Sequence, residues 1–182
     1  MSTASRAIPI DSVPRSVWAV PLLVGVAVLL EVTVMPFIGI LDGVPDLLAP
    51  TVVAIGMLRG SLTGAISGMV GGLFVELASP IGTLGVLALL YLCVGAFAGR
   101  YHEREESMGW VVPIVFSVTA AGAVELGYGV VQALLGNGLG PADLVGRVIL
   151  PTMALTALLS PPVLLAARYL LQPREPKPQE SA

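Results

Sequence analysis

Three carboxylates stand in apolar surroundings in this chain of 182 residues: Glu31, Glu76 and Glu125. A charged acid at the centre of a bilayer costs at least about 2.5 kcal/mol on insertion scales. Acids in such places serve a polar ligand pocket, a proton relay, a contact to a partner's polar group, or a hydrogen bond between helices that fixes their packing. Glu76 stands out, because it closes a run of glycines and precedes Ser79-Pro80. Other means for chemistry are few. His102 is the only histidine and Cys93 the only cysteine, so neither a histidine-based triad nor a histidine-rich metal site can be assembled. Gly136-Asn137-Gly138-Leu139-Gly140 is glycine-rich but follows an apolar segment, without the strand–turn–helix context of a dinucleotide site. The expectation is a protein that is not an enzyme, with no metal and no cofactor.

The elements that must hold these acids are set by composition. The chain is 55% hydrophobic and 12% charged, with a mean hydropathy of +0.91; a soluble domain carries about 25% charged residues. The apolar runs are continuous rather than alternating, which predicts spanning helices and not barrel strands. The fold class is therefore all-α, a polytopic membrane protein with about six transmembrane helices in a compact bundle. Residues 1–15 and 172–182 read as polar cytoplasmic tails, and 16–171 as the transmembrane domain. The spans are expected at about 16–35, 45–58, 60–78, 83–99, 109–135 and 143–171, the last interrupted by Pro151 and Pro161-Pro162. No small-x-small site follows the first apolar run, so that run reads as a retained helix. Residues 100–108 are the most charged stretch.

No polar loop separates the second and third spans. A single helix from Pro45 to Ala78 would be about 51 Å long, against a hydrocarbon core of about 30 Å. Arg59-Gly60-Ser61 is the natural break. Charge placement agrees. With six spans and the N-terminus inside, Arg6, Arg15, Arg59, Arg100, Arg104, Arg168, Arg174 and Lys177 lie inside, and only Arg147 lies outside. Both termini are then cytoplasmic. Basic residues this dispersed give no support to nucleic-acid binding.

Gly56, Gly60, Gly64, Gly68 and Gly72 recur every fourth residue and lead to Glu76, while Gly95 and Gly99 repeat the spacing in the fourth span. Small residues at this interval let helix backbones approach closely in a membrane. The stripe formed by Gly60, Gly64, Gly68 and Gly72 reads either as packing within the bundle or as a groove for a partner.

The motifs around this stripe resemble the MreD family, the small membrane subunit of the bacterial rod-shape (elongation) machinery. The matching residues are Pro45-Asp46-Leu47-Leu48, Arg59-Gly60, Gly64, Gly68, Gly72-Leu73 and Glu76-x-x-Ser79, then Gly82-x-x-Gly85, Leu87, Tyr91, Gly95 and Arg100. The layout match covers about residues 20–170, its specific part about 45–100. In that family the acid after the glycines is more often Asp than Glu. The resemblance implies a non-catalytic scaffold in the bacterial plasma (inner) membrane, working with the single-pass MreC, the actin-like MreB, RodA and a class B penicillin-binding protein in peptidoglycan synthesis and cell shape. It also implies a fold similar to the substrate-binding subunits of energy-coupling-factor vitamin transporters. That gives an alternative function, which short outer loops and an aromatic content of only 5% argue against.

Overall fold

A computed structural model describes residues 16–79, 85–102 and 109–171. The polar tails, Gly82 and residues 103–108 of the charged stretch lie outside the described residues. Among the described residues there are six helices and no strand: α1 Ser16–Thr33, α2 Leu48–Arg59, α3 Ser61–Ala78, α4 Val86–His102, α5 Val111–Leu134 and α6 Pro141–Leu171. A short 3-10 turn, Met35–Phe37, follows α1.

The arrangement follows from α2. Every residue from Leu48 to Met57 is buried, and α2 packs against all five other helices. A helix that is apolar all round belongs inside protein, and this one sits at the centre of a ring. Around it α1 contacts α3, α3 contacts α4, α4 contacts α5, α5 contacts α6, and α6 returns to α1. Its 12 residues make a rod of about 18 Å, too short to cross a bilayer alone. The ring shields its flanks.

The outer surface is the reverse of a water-soluble protein's. Leu22, Leu62, Leu77, Leu89, Leu158 and Tyr169 are exposed, whereas Asp46, Thr51, Ser67, Glu76, Ser117, Thr152, Thr156 and Ser160 are buried. Thr152, Thr156 and Ser160 recur every fourth residue and so place three hydroxyls on the inner face of α6. A continuous apolar exterior around a polar-seeded interior matches hydrocarbon and not water. Four of the helical stretches, Trp18–Phe37, Ser61–Ala78, Val111–Leu134 and Pro141–Leu171, are long and apolar enough to cross a membrane. The chain is an all-α bundle of membrane-protein type.

The break between α2 and α3 falls at Gly60, whose φ of +89° suits glycine. Two expectations are corrected. The second helix does not begin at Pro45 but at Leu48. The last helix is not interrupted: α6 runs unbroken from Pro141 to Leu171, with a π-helical stretch at Leu144–Ile149. The prolines are absorbed because other donors replace the missing N–H groups. The Arg147 carbonyl, four residues before Pro151, accepts the Asp42 N–H at 3.3 Å. The Ala157 carbonyl, four before Pro161, accepts the Ser160 hydroxyl at 3.2 Å.

The two ends of the bundle differ in charge. At one end an Arg59 Nη2 donates to the Leu171 carbonyl at 3.1 Å, Arg168 lies 4.0 Å over the Trp110 ring, and Arg100 lies 5.7 Å over Phe97. The starts of α1, α3 and α5 and the ends of α2, α4 and α6 share this end. At the other, Arg147 pairs with Asp143 at 3.5 Å, both well exposed.

Candidate functional site

The loop before α2 carries the densest polar network. Asp46 is buried and holds three connections. Its Oδ1 accepts the Ala49 N–H at 2.7 Å, one of the free donors at a helix start. Its Oδ2 accepts the Tyr91 hydroxyl of α4 at 2.8 Å. Its own N–H donates to Thr156 Oγ1 of α6 at 3.0 Å. One residue thus ties α2, α4 and α6 together. Glu31 of α1 joins from the other side, its Oε2 accepting the Leu47 N–H at 2.6 Å. Glu125 of α5 completes the group, within electrostatic reach of both Glu31 and Asp46. One turn from Thr156, the Thr152 hydroxyl is buried and has no hydrogen-bond partner among the described residues.

The structure therefore places Glu31 and Glu125 within electrostatic reach of each other and of Asp46, and sets Glu76 apart. Glu76 is only 2% exposed and caps α4. Its Oε2 accepts the Gly85 N–H at 2.7 Å and its Oε1 the Leu87 N–H at 2.6 Å. A carboxylate spanning two free N–H groups at a helix start is favoured by both hydrogen bonding and the helix dipole. Gly85 adopts φ +100°, and Ser79 ends α3 with its N–H donated to the Val75 and Glu76 carbonyls. In sequence Asp46 reads as a helix-start residue alone. Its other roles rest on Tyr91 and Thr156, which are 45 and 110 positions away. A tyrosine inside the apolar α4 is the one local hint.

The glycines face inward. A methyl group at Gly64 would lie 2.6 Å from Gly56 Cα and 2.6 Å from the Gly95 carbonyl oxygen. One at Gly68 would collide with the Tyr91 carbonyl, and one at Gly72 would lie 2.7 Å from the Leu87 carbonyl oxygen. Gly95 and Gly99 of α4 press equally closely on Gly64 and Ser61. Ser61 adds a hydrogen bond of 3.0 Å from its Oγ to the Ala96 carbonyl. The occupant of this groove is α4, and no open groove remains at Gly64, Gly68 or Gly72 for another protein. At Gly60 an added Cβ would meet nothing within 4 Å.

This geometry fixes helices in place. Among the described residues no group of three or more histidine, cysteine, aspartate or glutamate side chains is placed to hold a metal ion. The Asp46–Tyr91 bond has a direct test. Tyr91→Phe leaves a buried carboxyl oxygen without its donor and is expected to cost about 1–3 kcal/mol, read as a lowered unfolding midpoint in detergent. An unchanged midpoint would remove Asp46 as the tie between α2 and α4. Compared with protein-family models, curated proteins and solved structures, the chain matches none.

Proposed function

We propose that the chain is a non-catalytic membrane scaffold of the bacterial elongation machinery, coupling an MreC-like partner and cytoskeletal MreB to the peptidoglycan synthases, as its resemblance to the MreD family implies. It sits in the plasma membrane with both termini cytoplasmic, since the end bearing Arg59, Arg100 and Arg168 is the one that the positive-inside rule keeps inside.

The observation that carries this reading is an open cleft of about 580 Å³ between α1 and α3, lined by residues such as Val24, Gly25, Thr63, Ile66 and Ser67. An added Cβ at Gly25 would meet nothing within 4 Å, so unlike the inner glycines this one is unfilled. A nearly apolar cleft facing lipid, floored by small residues, suits the close approach of one further helix, which a single-pass partner would supply.

The test is a mild-detergent pull-down from the native membrane, read by mass spectrometry, on wild type and Gly25→Leu. The expected result is recovery of an MreC-like protein with the cell-wall synthases by wild type, and its loss in a Gly25→Leu variant that stays folded. Recovery of transporter ATPases and a coupling subunit instead would favour the vitamin-transporter alternative and overturn the scaffold.

A further inference from the structure

A second cavity, of about 580 Å³, opens between α5 and the π-helical start of α6. It lies apart from the α1–α3 cleft and does not depend on the scaffold reading. Glu125, Tyr128 and Gln132 line it from α5, Asn137 from the following loop, and Leu144 and Val148 from α6. Residues 125, 128 and 132 fall on one helix face, so the polar side comes from a single element. The π-helical turn forms the opposite wall, and such turns recur at functional sites.

The lining has a definite sign. It holds one carboxylate and no basic side chain. Asp46 and Glu31 lie within electrostatic reach of Glu125. The nearest arginine in sequence, Arg147, is exposed and paired with Asp143. Glu125 has no hydrogen-bond partner among the described residues, unlike Glu31 and Glu76. The Gln132 amide N–H₂ is turned to the Tyr128 hydroxyl at 2.8 Å, which leaves the Gln132 carbonyl oxygen free to accept. A carboxylate and two side-chain amides thus line a space far larger than a metal ion needs and within the range of small-molecule sites.

We propose that this cavity binds a primary ammonium group, with Glu125 as its counter-ion and the Gln132 and Asn137 carbonyl oxygens as further acceptors. Three N–H donors on a compact cation match a carboxylate and two amide oxygens, and the Tyr128 ring offers a cation–π face. The ammonium group has two sources, a free amine or the headgroup of an aminophospholipid.

The experiment uses the full chain in nanodiscs of phosphatidylcholine, whose headgroup has no N–H donors. Unfolding temperature is followed against ethanolamine and butylamine, with tetramethylammonium and butyrate as comparisons. In a second arm, phosphatidylethanolamine replaces part of the lipid. The expected result is stabilisation by the primary amines, or by the aminophospholipid alone if the headgroup is the source. Glu125→Gln should weaken apparent affinity at least about tenfold, as loss of a charge-assisted bond implies. The exposed Asp143→Asn should leave it unchanged. Should Glu125→Gln fail to fold, wild-type selectivity decides: native mass spectrometry must show ethanolamine or its lipid retained over the choline counterpart. Equal response to tetramethylammonium or butyrate, no response in either arm, or an undiminished response in a folded Glu125→Gln overturns the proposal.

Discussion

Gly68→Ala will destabilise the protein by about 3 kcal/mol or more, the upper range for overpacking a well-filled interior. The reason is the identity of the neighbour. The new methyl group meets the Tyr91 carbonyl of α4, which is backbone and cannot rotate away as a side chain would. The α3–α4 contact must open, and Tyr91 would then shift from Asp46. Gly25→Ala is the matched comparison. It adds the same methyl to α1 where nothing lies within 4 Å, so its effect should stay within about 1 kcal/mol and tend towards stabilisation through helix propensity. Denaturant or thermal unfolding of the purified variants in the same detergent measures both. Equal midpoints for the two would mean that α3 and α4 do not meet through their glycines.

The second large effect is expected at Glu76. Glu76→Ala removes both acceptors from the start of α4 and leaves the Gly85 and Leu87 N–H groups without their partner. Losing a cap costs about 0.5–2 kcal/mol where water can replace it, and a partly buried donor left unpaired costs about 1–3 kcal/mol; these describe the same lost bonds, and for two such donors a loss of about 3 kcal/mol is expected. Glu76→Gln keeps one acceptor but points an N–H₂ group at the other backbone donor, and should fall between wild type and Glu76→Ala. Hydrogen exchange should report the loss first at the N-terminal turn of α4. If exchange there is unchanged in Glu76→Ala, the residue is not a cap.

Much of the architecture was legible because a membrane leaves the chain few choices. Continuous apolar runs predicted helices, and the mismatch between a 34-residue helix and the bilayer predicted the break at Gly60, where the structure turns with φ +89°. The fate of the prolines was not legible. Whether Pro151 breaks a helix depends on whether another group serves the freed carbonyl, and that group, the Asp42 N–H, lies in a loop over a hundred residues earlier. The acids misled for the same reason. Glu31, Glu76 and Glu125 look alike as lone carboxylates in apolar runs, yet Glu76 serves a helix start nine and eleven residues ahead, while Glu31 accepts the Leu47 N–H and Glu125 comes within electrostatic reach of Asp46. The cavity that Glu125, Tyr128 and Gln132 line was not legible, since only the fold shows that Leu144 and Val148 wall it in.

The central claim is a six-pass bundle with its arginine-rich end in the cytoplasm, and cysteine labelling tests it most directly. In a Cys93→Ser background, single cysteines replace Asp42, Asp143 or Arg100, which are all exposed, and intact cells are treated with a membrane-impermeant maleimide. The account predicts labelling at positions 42 and 143 from outside, and at position 100 only after the membrane is permeabilised. Labelling of position 100 in intact cells, or protection of either aspartate position, would contradict it.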